Sequence, residues 1–243
     1  MPETGGFLER KLSTFVRLSE EEKRCLSEIQ QSPMLVKSGH ELTRQGESTH
    51  VAYILQQGWG CSFKDLQDGS RQVIAFPVPG DCVGLRSVLL RTSDHGFTTI
   101  TDAQVSRFEV ARILEIFDQF PHLGSAILWA TSRDEAITVE HLASIGRRTA
   151  IERTAHFFLE LSDRLRLVGL GSETEFECPL NQYILADALG LSAIHVNRVL
   201  RELREVKLLT FQDRRVVIHD RRGLIDLAGY EEVDQTPILE RKS

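Results

Sequence analysis

The sequence of 243 residues contains only four cysteines, Cys25, Cys61, Cys82 and Cys178, and they are widely scattered. No two of them form a Cys-x-x-Cys pair, and none stands beside histidine at zinc-binding spacing. This pattern argues against a disulfide framework and against a structural zinc site. We expect buried or chemically inert thiols, with a redox role for one exposed thiol as the alternative.

Long apolar runs are also missing, because no stretch approaches the ~20 apolar residues that a membrane-spanning helix requires. The first six residues lack the basic start and the apolar stretch of a secretory signal. We therefore expect a cytoplasmic protein with no membrane partner. With 41% hydrophobic and 26% charged residues, the chain has the composition of a globular protein with one large or two small domains.

Motifs of common enzyme classes are absent: the sequence has no Gly-x-Ser-x-Gly elbow and no Gly-x-x-x-x-Gly-Lys phosphate loop. A cupin-like metalloenzyme, the alternative in this class, needs a His-x-His pair with a carboxylate and a histidine downstream. His40, His50 and His95 do not fall at that spacing. We expect no enzymatic activity, no metal and no cofactor, and haem ligation by one of these histidines stays an alternative.

Basic residues are few for a nucleic-acid-binding protein, since 29 lysines and arginines stand against 35 acidic residues and give a net charge of −6. Averaged over the chain, this balance argues against a phosphate backbone as partner. Residues 192–222 differ, because they hold eight basic and four acidic residues, a local charge of +4. The basic residues there are Arg198, Arg201, Arg204, Lys207, Arg214, Arg215, Arg221 and Arg222.

Glycines and hydrophobic patterns divide the chain into segments. Ser19 followed by Glu22 fits a capping box and predicts a helix over about 19–29, after a short helical lead-in. From about residue 32 to residue 108, eight glycines separate short apolar runs, which is typical of a small antiparallel barrel or sandwich. A short helical stretch running to about residue 118 comes next.

A longer helix is predicted from Pro121 to about Gly146, because proline is favoured at a helix start and glycine is scarce in this stretch. Its apolar residues lie on more than one face, although the heptad is not clean. One face can cover the β segment while another meets a partner helix. We interpret it as a dimerisation helix, with ordinary intramolecular packing as the alternative.

A new pattern begins near residue 147, with a helix predicted over 149–166, an acidic loop over 169–177 and Pro179 opening two closely spaced helices. Ala186 supplies the small residue that two steeply packed helices need at their approach, and Gly190 allows the backbone to reverse. Ser192 lies where an N-cap starts the second helix. The inward-facing apolar residues are Leu185, Leu189, Leu191, Val196 and Val199.

These constraints predict a helix-turn-helix whose second helix presents Ala193, Ile194, His195, Asn197, Arg198 and Arg201 outward. Arginine binds guanine bidentately and asparagine binds adenine, whereas helix N-termini and further arginines bind phosphates. A solvated αα-hairpin is the alternative, but two β segments around the basic turn 212–214 follow directly and form a predicted wing. We expect double-stranded DNA as partner, with Arg198 reading a base beside His195 and Asn197, and with Ser192, Arg201 and Arg214 on phosphates. Arg215 is a further candidate for the DNA backbone.

The order of these parts resembles the CRP/FNR family of bacterial transcription regulators over about residues 10–230. The resemblance rests on residues 37–47, on the run Pro79-Gly80-Asp81-Cys82-Val83-Gly84, on the long helix and on Val196-Asn197-Arg198 in the winged helix-turn-helix. It implies an α+β fold, a homodimer on a palindromic operator, RNA polymerase as a partner and a small-molecule effector that remains unidentified. The implied parts are a β-roll sensory domain that resembles cyclic-nucleotide-binding domains (1–120), a dimerisation helix (121–147), a winged helix-turn-helix domain (148–230) and a tail (231–243).

The sequence departs from the family's cyclic-AMP-binding members at the phosphate site. Leu85 follows Gly84 where those members have a glutamate, and Phe97, Thr98 and Thr99 occupy the stretch of their arginine. A buried phosphate without a cation is costly, so we do not expect cyclic AMP as effector. The alternative is a cyclic-nucleotide-responsive regulator whose rebuilt loop uses Arg86 or Arg91. The N-terminal cysteine cluster of iron-sulfur members is also missing, because that region holds only Cys25.

Overall fold

The N-terminal half of the chain forms two four-stranded antiparallel sheets in a computed structural model that describes residues 6–48, 51–85 and 92–232. The strands are β1 Met34–Val36, β2 Glu41–Thr43, β3 Val51–Gln57, β4 Gly60–Asp65, β5 Arg71–Ala75, β6 Cys82–Val83, β7 Gly96–Thr99 and β8 Ala103–Glu109. Their order is β1-β8-β3-β6 in the first sheet and β2-β7-β4-β5 in the second. This β-roll, with the helices described next, confirms the predicted α+β fold class.

The helices that accompany and follow the β-roll are α1 Phe7–Ser13, α2 Glu20–Ile29, α3 Val110–Gln119, α4 Pro121–Arg147, α5 Ala150–Leu167, α6 Gln182–Leu189, α7 Ala193–Glu205 and α8 Arg221–Ala228. The predicted capping box at the start of α2 is confirmed, since the Ser19 hydroxyl accepts the Glu22 amide and the Glu22 carboxylate accepts the Ser19 amide. The same carboxylate accepts the amide of Leu123 at 3.2 Å, which joins the start of α2 to the first turn of α4.

One close approach inside the β-roll requires glycine. A Cβ atom at Gly60 would lie 2.2 Å from the ring of Phe97 on the neighbouring strand β7. Phe97 is fully buried, so the missing side chain on β4 creates the space that this ring fills. Phe97 lies in the stretch where cyclic-AMP-binding members of the family have an arginine. In this protein its ring packs into the sheet, so this stretch has a structural role here.

The long helix α4 has 27 residues and an extent of about 40 Å at 1.5 Å per residue. Leu123 and Ala126 are buried against α1, α2 and the first sheet. Farther along, Leu128, Val139 and Leu142 are between 58% and 72% exposed. This helix therefore carries an apolar face that the described residues of the chain leave uncovered. No helix in the described residues is both long and apolar enough to cross a membrane.

The C-terminal domain contains a three-stranded sheet, β10-β11-β9, formed by β9 Glu175–Glu177, β10 Leu209–Gln212 and β11 Arg215–Ile218. The prediction of a loop over 169–177 was wrong at its end, because Phe176 is buried between two exposed glutamates and pairs with Val216. Three residues are too few for a periodic signal. The prediction that Pro179 opens the next helix was also wrong, since Asn181 caps α6 by accepting two backbone amides.

The β-roll and the C-terminal domain share one hydrophobic core, in which Trp59, Phe63 and Phe76 pack with the side chains of α5. The rings of Phe76 and Phe157 meet edge to face with centroids 5.6 Å apart. The side-chain amide of Gln72 donates to the carbonyl of Asp187 at the end of α6. The β-roll is therefore in direct contact with α6, the helix that precedes α7.

Charged side chains are buried at the same junction. Asp81, in the loop before β6, accepts Lys11 from α1 and Arg164 from α5, each at 2.8 Å, and its carboxylate also accepts the amide of Val78. Burial alone would raise the pKa of Asp81, but Lys11 and Arg164 lower it to about 2. We call Lys11, Asp81, His141, Glu160 and Arg164 the buried ion cluster. Lys11, Asp81 and Glu160 are buried, and His141 and Arg164 are half-buried.

The remaining members of the buried ion cluster extend it to α4. Glu160 accepts Arg164 at 3.3 Å and contacts His141 Nε2 at 2.6 Å, while His141 Nδ1 lies 3.1 Å from the carbonyl of Ile74. Both ring nitrogens of His141 face acceptors, an arrangement that suits the protonated ring because it can donate from both nitrogens. Burial opposes the charge of that ring, but the carboxylate of Glu160 outweighs it and raises the pKa of His141.

Removing Arg164 from the buried ion cluster should cost much more stability than removing a surface arginine. Arg164→Met leaves two buried carboxylates with one cation fewer, and we expect a loss of about 3–5 kcal/mol in the free energy of unfolding. The matched control is Arg166→Met on the same helix, whose side chain is 37% exposed and whose ion pairs contribute at most ~1 kcal/mol. Urea unfolding followed by tryptophan fluorescence measures both, and equal losses would contradict the expectation.

Candidate DNA-binding surface

The turn between α6 and α7 has the geometry that the sequence predicts. Gly190 adopts the left-handed conformation with φ of 61°, and its amide donates to the carbonyl of Ala186. The amide of Leu191 donates to the same carbonyl at 3.0 Å, which closes the end of α6 in a compact turn. A side chain at position 190 would favour a different backbone conformation, so glycine is required where the chain reverses.

The two helices bury four of the five residues that were predicted to face inward: Leu185, Leu189, Val196 and Val199 are all at most 4% exposed. Leu191 is half-buried. On the opposite side of α7, Asn197, Arg198 and Arg201 are exposed, whereas Ala193 and His195 are half-buried. Ala193 packs against the shared core, so only part of it is available to a partner.

The first turn of α7 organises its own polar groups. The Ser192 hydroxyl accepts the amide of His195 at 3.2 Å, and its proton remains available to donate to a phosphate oxygen. The guanidinium of Arg198 donates to His195 Nε2 at 2.8 Å. Because arginine can only donate, this nitrogen of His195 accepts the hydrogen bond and holds one edge of the arginine in place. Arg198 keeps further N–H donors for a base edge.

The wing is the hairpin of β10 and β11, whose two-residue loop contains Asp213 and Arg214. Both residues have positive φ, 51° and 60°, as a type I′ turn requires. This conformation costs an L-residue with a side chain about 1–2 kcal/mol, and arginine is not a usual choice for it. Arg214 is exposed at the tip, where a cation is placed at the expense of backbone strain.

Two arginines in this region have contacts that the sequence did not predict. Arg215, a candidate for the DNA backbone, forms an exposed ion pair with Glu175 at 2.8 Å, which joins β11 to β9 within the wing sheet. Arg153 of α5 donates to the carbonyls of Leu189 and Arg148 and so holds the end of α6. Only the folded arrangement brings residues 153 and 189 together, and no local pattern marks Arg153 as a positioning residue.

A cleft of about 460 Å³ lies where the β-roll meets α4 and α5, with Ser62, Val83, Thr131 and Thr138 among its lining residues. Arg164 is the one arginine or lysine among the described residues that line it, and it is already paired with Asp81 and Glu160. The carboxylates of Asp134 and Glu135 also line the cleft. The residues His50, Arg86 and Arg91, named as alternatives above, lie outside the described residues.

The cysteines are largely withdrawn from solvent. Cys61 and Cys178 are at most 5% exposed, and burial raises the pKa of each thiol to about 12. Burial also raises the pKa of Cys25, while Cys82 is half-buried. A protonated thiol is a poor nucleophile at neutral pH, so this environment favours a packing role for Cys61 and Cys178.

A β-roll followed by a long helix and a winged helix-turn-helix defines a class of DNA-binding transcription regulators. Residues 33–120 match the model of the cyclic nucleotide-binding domain, and residues 152–227 match the Crp-like helix-turn-helix domain. The chain belongs to the CRP/FNR family. It is 30% identical to the nitrogen fixation regulation protein FixK of Rhizobium meliloti over 183 residues. This alignment covers 74% of the present chain and 79% of FixK.

Two further comparisons agree with this family. The transcriptional activator protein anr of Pseudomonas aeruginosa is 26% identical over 212 residues, covering 87% of this chain and 86% of that protein. The structure of FixK2 from Bradyrhizobium japonicum superposes with a TM-score of 0.73 at 26% identity and covers 83% of this chain and 98% of that one. FixK and anr are named as regulators, and the resemblance extends over both domains of this chain.

Replacing Arg214 by glycine should stabilise the wing and weaken DNA binding at once. Arg214→Gly relieves the left-handed strain, so we expect a gain of about 0.5–1 kcal/mol in unfolding free energy. It also removes a cation, and the slope of log affinity against log salt should fall by about 1. Asp213→Gly is the matched control, because it relieves the same turn and keeps the cation. Thermal unfolding and fluorescence anisotropy measure both effects, and unchanged DNA affinity would remove Arg214 from the interface.

Proposed function

We propose that this protein binds a two-fold symmetric DNA site as a homodimer and that α7 reads the major groove. The exposed face of α7 carries the proposal, because Asn197, Arg198 and Arg201 lie side by side beyond a helix N-terminus and have no role in the core. Side chains at the N-terminal end of such a helix contact base edges. Half-sites spaced by one DNA turn, about 34 Å, would meet the two recognition helices.

Arg198 is the residue that reads a base in this proposal. Guanine offers O6 and N7 as two acceptors that match the fork of an arginine, and His195 already orients the guanidinium from one side. Asn197, the exposed neighbour of Arg198, suits the N6 and N7 edge of adenine. The half-buried His195 lies beside both and acts on the bases directly or through Arg198.

The phosphate contacts come from groups at the margins of the recognition helix. Ser192 lies at the N-terminus of α7, where free amides and the helix dipole favour an anion. Arg201 is one turn beyond Arg198 on the exposed face, and Arg214 is at the tip of the wing. The part of Ala193 that is exposed at the N-terminus allows the helix to approach the groove closely.

Substitution of Arg198 tests base reading. A binding-site selection from random DNA should first yield a two-fold symmetric consensus. Arg198→Ala should then weaken binding to this consensus by about 1–3 kcal/mol and barely change binding to random DNA. The matched control is Arg204→Ala, because Arg204 is an exposed arginine farther along the same helix. This substitution should not weaken binding to the consensus more than binding to random DNA. Equal losses on both DNAs for Arg198→Ala would remove Arg198 from base readout.

The homodimer is proposed to form through the exposed apolar face of α4. Leu128, Val139 and Leu142 are separated by eleven and three residues, so each falls on an a or d position of one heptad register. Their exposure in the single chain, up to 72%, leaves a stripe that a second copy of the same helix fits. Glu135 falls in the same register and explains why the heptad is imperfect in the sequence.

A charge on the exposed apolar face of α4 should separate the subunits. Leu142→Glu would bury two like charges in a two-fold interface, and we expect dimerisation to weaken at least ~100-fold, or by more than ~2.7 kcal/mol. The matched control is Leu35→Glu, because Leu35 is 82% exposed on β1, in the β-roll. Sedimentation equilibrium measures the dissociation constant, and a full palindrome should lose its advantage over a half-site for the Leu142 variant. An unaffected dimer would place the interface elsewhere.

The effector in this proposal is a small molecule other than cyclic AMP, bound in the cleft of about 460 Å³. A cyclic phosphate would meet Asp134 and Glu135 and an arginine that two carboxylates already engage. Calorimetry showing micromolar binding of cyclic AMP would reverse this assignment. RNA polymerase is the expected protein partner, because one relative is named a transcriptional activator.

A further inference from the structure

An isoleucine on the recognition helix is exposed for no reason that the fold provides. Ile194 is 84% exposed, and no other large hydrophobic side chain among the described residues is more exposed. It is the second residue of α7, directly after the half-buried Ala193. Its side chain therefore contributes almost nothing to the core. It remains available to contact a binding partner.

Ile194 shares a helix face with the residues proposed to contact DNA. Arg198 and Arg201 follow it by four and seven residues, the spacing that places side chains in one row along a helix. Neighbours in such a row have Cβ atoms about 5–6 Å apart. Base pairs are stacked every 3.4 Å, so a helix in the groove brings Ile194 within about two base pairs of the base that Arg198 contacts.

The major groove contains one apolar group among its base edges, the C5-methyl group of thymine. We infer that Ile194 contacts this methyl group of a thymine within two base pairs of the guanine proposed for Arg198. The inference rests on the proposed DNA-binding function and adds a specificity-determining residue to it. A β-branched side chain suits this contact, because its restricted χ1 angle leaves little rotamer freedom to lose when it becomes ordered.

The polar surroundings also favour a base over a phosphate for Ile194. Ser192 and Arg201 can each donate a hydrogen bond to a phosphate oxygen, whereas an isoleucine side chain cannot. At the other three bases the same position would present only polar groups that Ile194 leaves unpaired. A thymine at this step is thus selected both by contact with its methyl group and by the cost of the alternatives.

Uracil tests the inference, because it differs from thymine only by lacking the C5-methyl group. Duplexes carrying the selected consensus are prepared with each thymine near the proposed guanine replaced singly by deoxyuridine. For the unmodified protein, one replacement should weaken binding about fourfold, the change that corresponds to ~0.8 kcal/mol per buried methyl group. For Ile194→Ala, thymine and uracil at that position should bind equally, as in a double-mutant cycle.

The matched control is Val206→Ala. Val206 is also β-branched and 56% exposed, but it lies just past the C-terminal end of α7. It should keep the full preference for thymine. Circular dichroism and thermal unfolding of Ile194→Ala should match the unmodified protein, since the side chain is outside the core.

The outcomes separate this inference from the proposed function. If no symmetric consensus is selected, the DNA-binding proposal itself fails. If the consensus binds but every uracil replacement is neutral, Ile194 reads no methyl group while the proposed function stands. If the preference for thymine persists in Ile194→Ala, another side chain contacts the methyl group and the inference is overturned.

Discussion

A carboxylate with almost no access to water, Asp81, holds three distant parts of the chain in one arrangement. It accepts Lys11 from the N-terminal helix and Arg164 from the C-terminal domain, each at 2.8 Å, although these residues are 70 and 83 positions away. Such ions gain little net stability compared with apolar residues of the same size. Separating any one of them strands a buried charge, so the buried ion cluster rejects other arrangements of the two domains.

The sequence predicted the parts of the molecule that local rules determine. The capping box at Ser19, the reversal at Gly190 and the N-cap at Ser192 each depend on residues within a few positions of one another, and all three are present. The exposed face with Asn197 and Arg198 followed from helical periodicity alone. Local chemistry was sufficient for the recognition helix because its residues are its own neighbours in the chain.

Contacts between residues far apart in the sequence could not be predicted from these local patterns. Strand β9 is recognisable only through its pairing with β11, forty residues later, because three residues give no periodic pattern. The pairing of Arg215 with Glu175 depends on that strand, and so a cation counted toward DNA binding is partly neutralised within the wing. The buried ion cluster shows the same limit, since a sequence does not reveal which charges become buried partners.

The helix α5 contacts both Asp81 in the β-roll and the turn before the recognition helix α7. Near its C-terminal end Arg164 binds Asp81 of the β-roll, and near its start Arg153 holds the carbonyl of Leu189 at the turn before the recognition helix. The two arginines are eleven residues apart, about 16 Å along one rigid helix. The loop that carries Asp81 and the turn before α7 are therefore both held by side chains of the same helix. The cleft beside Asp81 is lined by the same arginine and therefore lies at one end of this connection.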